Sequence, residues 1–115
     1  MARVLICEPH DDISALLELV VRRLGHEPVT HSGGDLDLAV DAAVIEPGDG
    51  PGLRVAKRLR ALNVPVLFTS IYPAEAEMLE LSPAAYLVKP FPLYALERAL
   101  DGVLAAQNAP TTAVV

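Results

Sequence analysis

The sequence predicts a doubly wound α/β sandwich: five parallel strands in the order 2-1-3-4-5, with helices covering both faces. Three observations carry this. Short apolar runs alternate along the chain with longer stretches whose apolar residues recur at steps of three and four. The runs themselves, such as Ala42 to Ile45, are apolar at successive positions, as strands buried on both faces are. Most of them also end on a side chain with chemistry in it: Glu8, Glu46, Thr69 with Ser70, and Lys89. Ligands of open parallel sheets bind at those carboxyl ends.

Each element follows in turn. Arg3 to Cys7 reads as the first strand and stops at the acid-rich turn Glu8-Pro9-His10-Asp11-Asp12. Asp11 or Asp12 is the expected N-cap of the first helix, suited to the helix dipole. Its buried face is Ile13, Leu16, Leu17, Val20, Val21 and Leu24, and Gly25 ends it. Glu27 to His31 is a second strand, placed at an edge by Pro28. Ser32 to Asp35 is a turn, and Leu36 to Val40 has room for one or two helical turns. The third strand, Ala42 to Ile45, delivers Glu46 into Pro47-Gly48-Asp49-Gly50-Pro51-Gly52, which can be neither strand nor helix.

A helix then begins at Leu53, with Leu53, Ala56, Leu59 and Leu62 as its buried stripe and Asn63 as its stop. Pro65 to Thr69 is the fourth strand, ending in the hydroxyls of Thr69 and Ser70. Pro73 fits the first turn of a helix running to Leu79, broken by Ser82-Pro83. Ala84 to Val88 is the fifth strand and delivers Lys89. Phe91-Pro92 starts the last helix, whose stripe is Leu93, Leu96, Leu100, Val103 and Leu104. Residues 1–106 thus read as one domain, and 107–115 as a loose tail.

The 115 residues suffice for a single core, and 52% hydrophobic against 21% charged residues excludes disorder of the body. No apolar run is long enough to span a membrane, and Met1-Ala2-Arg3 leads into a strand rather than a signal peptide, so a cytoplasmic protein is expected. Cys7, the single cysteine, reads as a buried structural thiol. A net charge of −6 argues against nucleic acid as a partner. Arg54, Lys57, Arg58 and Arg60 crowd one helix but read as a solvated face, since no aromatics interleave them. The glycines from Gly48 to Gly52 match no phosphate-binding loop pattern.

In the predicted strand order, Glu8, Glu46, Ser70 and Lys89 converge on one crevice. With that set, the chain from Arg3 to about Ala106 resembles the receiver domain, the phosphoacceptor module of two-component response regulators, whose fold is flavodoxin-like (CheY-like). The resemblance is carried by Ala85-Tyr86-Leu87-Val88-Lys89-Pro90-Phe91, by Pro65-Val66-Leu67-Phe68-Thr69-Ser70, by the acid after the first strand and by Gly25-His26-Glu27. It implies that Glu46 stands at the phosphoacceptor position and Glu8 in the acidic pocket. It also implies that Lys89 is the phosphoryl-pairing lysine, and that Ser70 (better than Thr69) and Tyr86 are the switch hydroxyl and aromatic.

The departures from the family pattern fall on the chemistry. The acceptor position holds Glu46, not aspartate. The second acid after the first strand is Pro9, while Asp11 and Asp12 fall in the helix start. The acceptor loop is shortened to E-P-G-D-G-P-G. One extra methylene carries a carboxylate about 1.5 Å further, and a positioning error near 1 Å can cost roughly a hundredfold in rate. Glu8 and Glu46 remain as magnesium ligands, but weakened ones, so no cofactor is expected to be firmly held. His10 with Glu8 and Glu46 is a further metal candidate, weighed against a solvated turn histidine.

The expectation is therefore a stand-alone atypical receiver, not an enzyme, that works as a phosphorylation-independent protein-interaction module. Its partner would be a histidine kinase, a phosphotransfer protein, an adaptor target or its own second copy as a homodimer. The alternative is a conventional phosphoacceptor taking a phosphoryl group from a histidine kinase with magnesium. A third reading is a small flavodoxin-like ligand binder. Lys89, lacking its usual phosphoryl partner, is expected to pair with Glu46, leaving Ser70 unrecruited and Tyr86 outward.

Overall fold

The computed structural model describes residues 1–31, 39–48 and 51–108. Its sheet has five parallel strands in the order predicted. They are β1 (Arg3–Cys7), β2 (Glu27–Thr30), β3 (Ala42–Ile45), β4 (Val66–Ser70) and β5 (Ala85–Val88), and the helices are α1 (Asp11–Arg23), α2 (Gly52–Ala61), α3 (Ala76–Leu79) and α4 (Leu93–Asn108).

The alternation of side chains along a strand divides the core in two. Val4 and Ile6 of β1, Ala42 and Val44 of β3 and Leu67 of β4 pack with Leu17, Val20 and Val21 of α1 and with Leu96, Leu100 and Leu104 of α4. On the opposite face Leu5, Cys7, Ala43, Ile45, Val66 and Phe68 pack with Val55, Ala56 and Leu59 of α2. The result is three layers, with β1, β3 and β4 buried on both sides. That is why their sequences are continuously apolar.

Several expectations shift. Leu16 is 42% exposed and Leu62 54% exposed, so neither belongs to a buried stripe. α2 ends at Ala61, and Asn63 takes a left-handed φ of 61° just beyond it, which turns Leu62 outward. The buried line of α2 instead runs through Gly52, Val55, Ala56 and Leu59. His10, not Asp11 or Asp12, is the N-cap of α1, and both aspartates lie in its first turn. α3 is only four residues long with none of them buried, so Pro73 precedes the helix rather than opening it. β2 stops at Thr30, β4 is shifted by one residue to Val66–Ser70, and β5 starts at Ala85. α4 continues to Asn108, two residues into the stretch expected to be tail. Residues 36–38 lie outside the described residues, and Ala39 and Val40 are not helical. Gly25 behaves as expected, ending α1 with φ of 86°.

No helix among the described residues is long and apolar enough to cross a membrane. The basic residues of α2 stand on its outer side, where Lys57 meets Glu77 at 3.5 Å with both side chains exposed.

Candidate functional site

Register alone brings the two acids together. Cys7 is paired with Ile45 across β1 and β3, so the residues that follow, Glu8 and Glu46, leave adjacent strands at the same level. The Glu46 N–H donates to the Cys7 carbonyl at 2.9 Å, fixing that level. Lys89 leaves β5 beside the end of β4, its N–H donating to the Ser70 carbonyl at 2.7 Å. From there its side chain reaches back over the sheet edge. The ammonium lies 2.6 Å from Glu8 Oε1 and 3.3 Å from Glu46 Oε2.

The Glu46–Lys89 pair anticipated from the sequence is therefore present, but Glu8 is the closer partner. The remaining carboxylate oxygens are engaged as well. Glu46 Oε1 accepts from the Gly48 N–H at 2.8 Å. Glu8 Oε2 accepts from the His10 N–H at 3.2 Å and lies 3.2 Å from His10 Nδ1. Only 1% of the Glu8 side chain is exposed, against 11% for Glu46 and 15% for Lys89. Burial pushes the Glu8 carboxyl up, but the Lys89 ammonium and the two contacts from His10 outweigh it and hold the group below its ordinary 4.5. Cys7 next door is raised, by burial first and by the Glu8 charge second, which suits an inert structural thiol.

Two glycines of the loop after Glu46 are explained by how closely they approach it. A Cβ on Gly52 would lie 1.9 Å from the Glu46 carbonyl oxygen, so α2 can begin this close to β3 only with glycine there. At Gly48 a Cβ would lie 2.8 Å from Glu46 Oε1, the oxygen that its own N–H binds. Asp49 and Gly50 lie outside the described residues.

Ser70 and Tyr86 point to a different partner. Ser70 is buried, and its Oγ accepts from the Tyr72 N–H at 3.1 Å. The Tyr86 hydroxyl donates to the Tyr72 carbonyl at 2.9 Å and stands 3.5 Å from Met78 Sδ. Rather than standing outward, the Tyr86 ring is half-buried, edge-on to Phe68 with centroids 6.1 Å apart. Both side chains are thus tied to the backbone of Tyr72, which carries no signal in the sequence because the groups it contributes are common to almost every residue. Thr69 is fully buried and its hydroxyl meets no partner among the described residues. His10 stands beside Glu8 as the sequence suggested, as a hydrogen-bond partner of its carboxylate.

Magnesium does not fit these side chains as they stand. Every carboxylate oxygen of Glu8 and Glu46 has a donor from the chain, the ammonium lies between the two acids, and Pro9 supplies no ligand atom. Among the described residues no group of three or more His, Cys, Asp or Glu side chains could hold a metal, so His10 does not complete a site either. Two clefts flank the charged cluster. One of about 220 Å³ lies between Pro9, His31 and Pro51, and one of about 380 Å³ lies between Ile13, Ile71 and Tyr72.

The sequence matches no protein-family model and no curated protein. Solved structures resemble it clearly. A two-component response regulator from Clostridium difficile superposes with a TM-score of 0.79 at 18% identity, over 95% of this chain and 100% of that one. A putative response regulator from Chloroflexus aurantiacus gives 0.75 at 28% identity, over 90% and 98%. The receiver domain of a sensor histidine kinase from Pseudomonas aeruginosa, which has a magnesium ion coordinated in its active-site cleft, gives 0.75 at 19% identity, over 90% and 98%. The five-stranded sheet and its flanking helices have the fold of response-regulator receiver domains.

Proposed function

We propose that this chain is an atypical receiver domain of two-component signalling that works as a phosphorylation-independent protein-interaction module. The observation that supports this best is the Lys89 ammonium, already shared between Glu8 and Glu46 at the carboxyl edge of the sheet. The resemblance implies a lysine that pairs with the phosphoryl group. Here it has two carboxylates, and together the three groups carry a net negative charge that repels an anionic donor. Glu46 imitates a phosphorylated acceptor only in part. A carboxylate brings one negative charge, against about −1.5 to −2 and three acceptor oxygens on a phosphate. Ser70 and Tyr86 accordingly remain with Tyr72. A histidine kinase, phosphotransfer protein, adaptor or second copy would then read a surface that does not change with phosphodonor.

Acetyl phosphate and beryllium fluoride, each with magnesium, test this directly. Intact mass and backbone NMR shifts should be unchanged by either. An added phosphoryl mass that disappears in Glu46→Gln would establish the conventional phosphoacceptor instead.

A further inference from the structure

We infer that Lys89 is the resident cation of this site: its ammonium takes the place between Glu8 and Glu46 that a divalent ion would need, and so excludes one. The inference is separable from the proposed function. Phosphorylation without metal would overturn that reading and leave this one intact.

One nitrogen lies within 3.3 Å of an oxygen from each acid, so any cation near that point would reach both. The backbone from which the ammonium extends is fixed, because the Lys89 N–H is bound to the Ser70 carbonyl at the β4–β5 edge. The opposite oxygens of the two acids are held by Gly48 and His10, which orients each carboxylate toward the ammonium. Magnesium requires oxygens at about 2.0–2.1 Å in near-octahedral array, and reaching them here means displacing the ammonium or facing its charge at close range. With Glu8 almost fully buried, solvent does little to screen that repulsion. Without the ammonium, the same geometry leaves two inward carboxylates and a deficit of positive charge, which is what a hard divalent ion binds.

Manganese serves as the probe, followed by electron paramagnetic resonance with magnesium as competitor. The wild-type protein should show no saturable binding below millimolar concentration. Lys89→Met should bind manganese at least about tenfold more tightly, with magnesium competing, because a like charge has been removed from the ligand cluster. Adding Glu8→Gln to that variant should abolish the gain. If Lys89→Met does not fold, Lys89→Gln keeps a polar side chain of similar reach and should show the same gain. The melting temperature gives a second readout: about 10 mM magnesium should raise it for the lysine variant and leave the wild type unmoved. Saturable submillimolar binding by the wild type would overturn the inference. So would a folded lysine variant that binds manganese no better and gains no stability from magnesium.

Discussion

Two halves of one sheet edge behave differently. Across β1, β3 and β5, the ionic half gathers side chains from distant positions into a closed set, Glu8–Lys89–Glu46, capped by His10 and Gly48. Around β4, the hydroxyl and aromatic half is self-contained: Ser70 and Tyr86 both bond to Tyr72, a near neighbour of Ser70. Neutralising Lys89 is therefore not enough to bring Ser70 and Tyr86 to the acids. The two acids, Ser70 and Tyr86 already have partners and gain little by exchanging them.

The largest expected effect breaks the ionic half. Lys89→Met should destabilise the metal-free protein by about 3 kcal/mol, since it leaves a buried Glu8 carboxylate without its cation. Chemical denaturation at neutral pH measures this. Glu46→Gln should cost less, about 1 kcal/mol, because the amide oxygen can still accept from Gly48 while Lys89 keeps Glu8.

Tyr86→Phe acts on the other half. It should cost about 1 kcal/mol or less and shift NMR resonances around Tyr72 and Met78, leaving those of Glu8 and Gly48 in place. Shifts that spread to Gly48 would show the two halves to be coupled. The mildest perturbation is pH. The Glu8 carboxyl is depressed, so its stabilising contribution is complete above its unfolded value of 4.5 and is lost as pH falls through its lower folded value. Thermal melts across that window should show an acid limb that is flatter in Glu8→Gln.

The same contrast marks what the sequence could disclose. Strand order, the buried runs and the meeting of Glu8, Glu46 and Lys89 were legible, because continuous apolar runs mark strands buried on both faces, period-three-to-four patterns mark the buried helix faces, and strand order fixes which strand ends converge. Glu8 as the closer partner of Lys89 was not, since it depends on how a long flexible side chain crosses the sheet edge. Tyr72 was invisible because it acts through its backbone. Leu16 and Leu62 looked like core because spacing alone does not reveal where a helix face leaves its neighbour or where the helix stops. Glu46, Pro9 and the recomposed loop after Glu46 are where the sequence departs most from the receiver pattern.

The central claim is that Glu8 and Lys89 form a closed, energetically coupled pair without any phosphoryl group or metal. A double-mutant cycle with Glu8→Gln, Lys89→Met and the double variant, measured by denaturation in the presence of chelator, isolates that coupling. The pair's 2.6 Å separation and burial predict a coupling of about 2 kcal/mol or more. A coupling below about 0.5 kcal/mol, the level of an exposed pair, would contradict it.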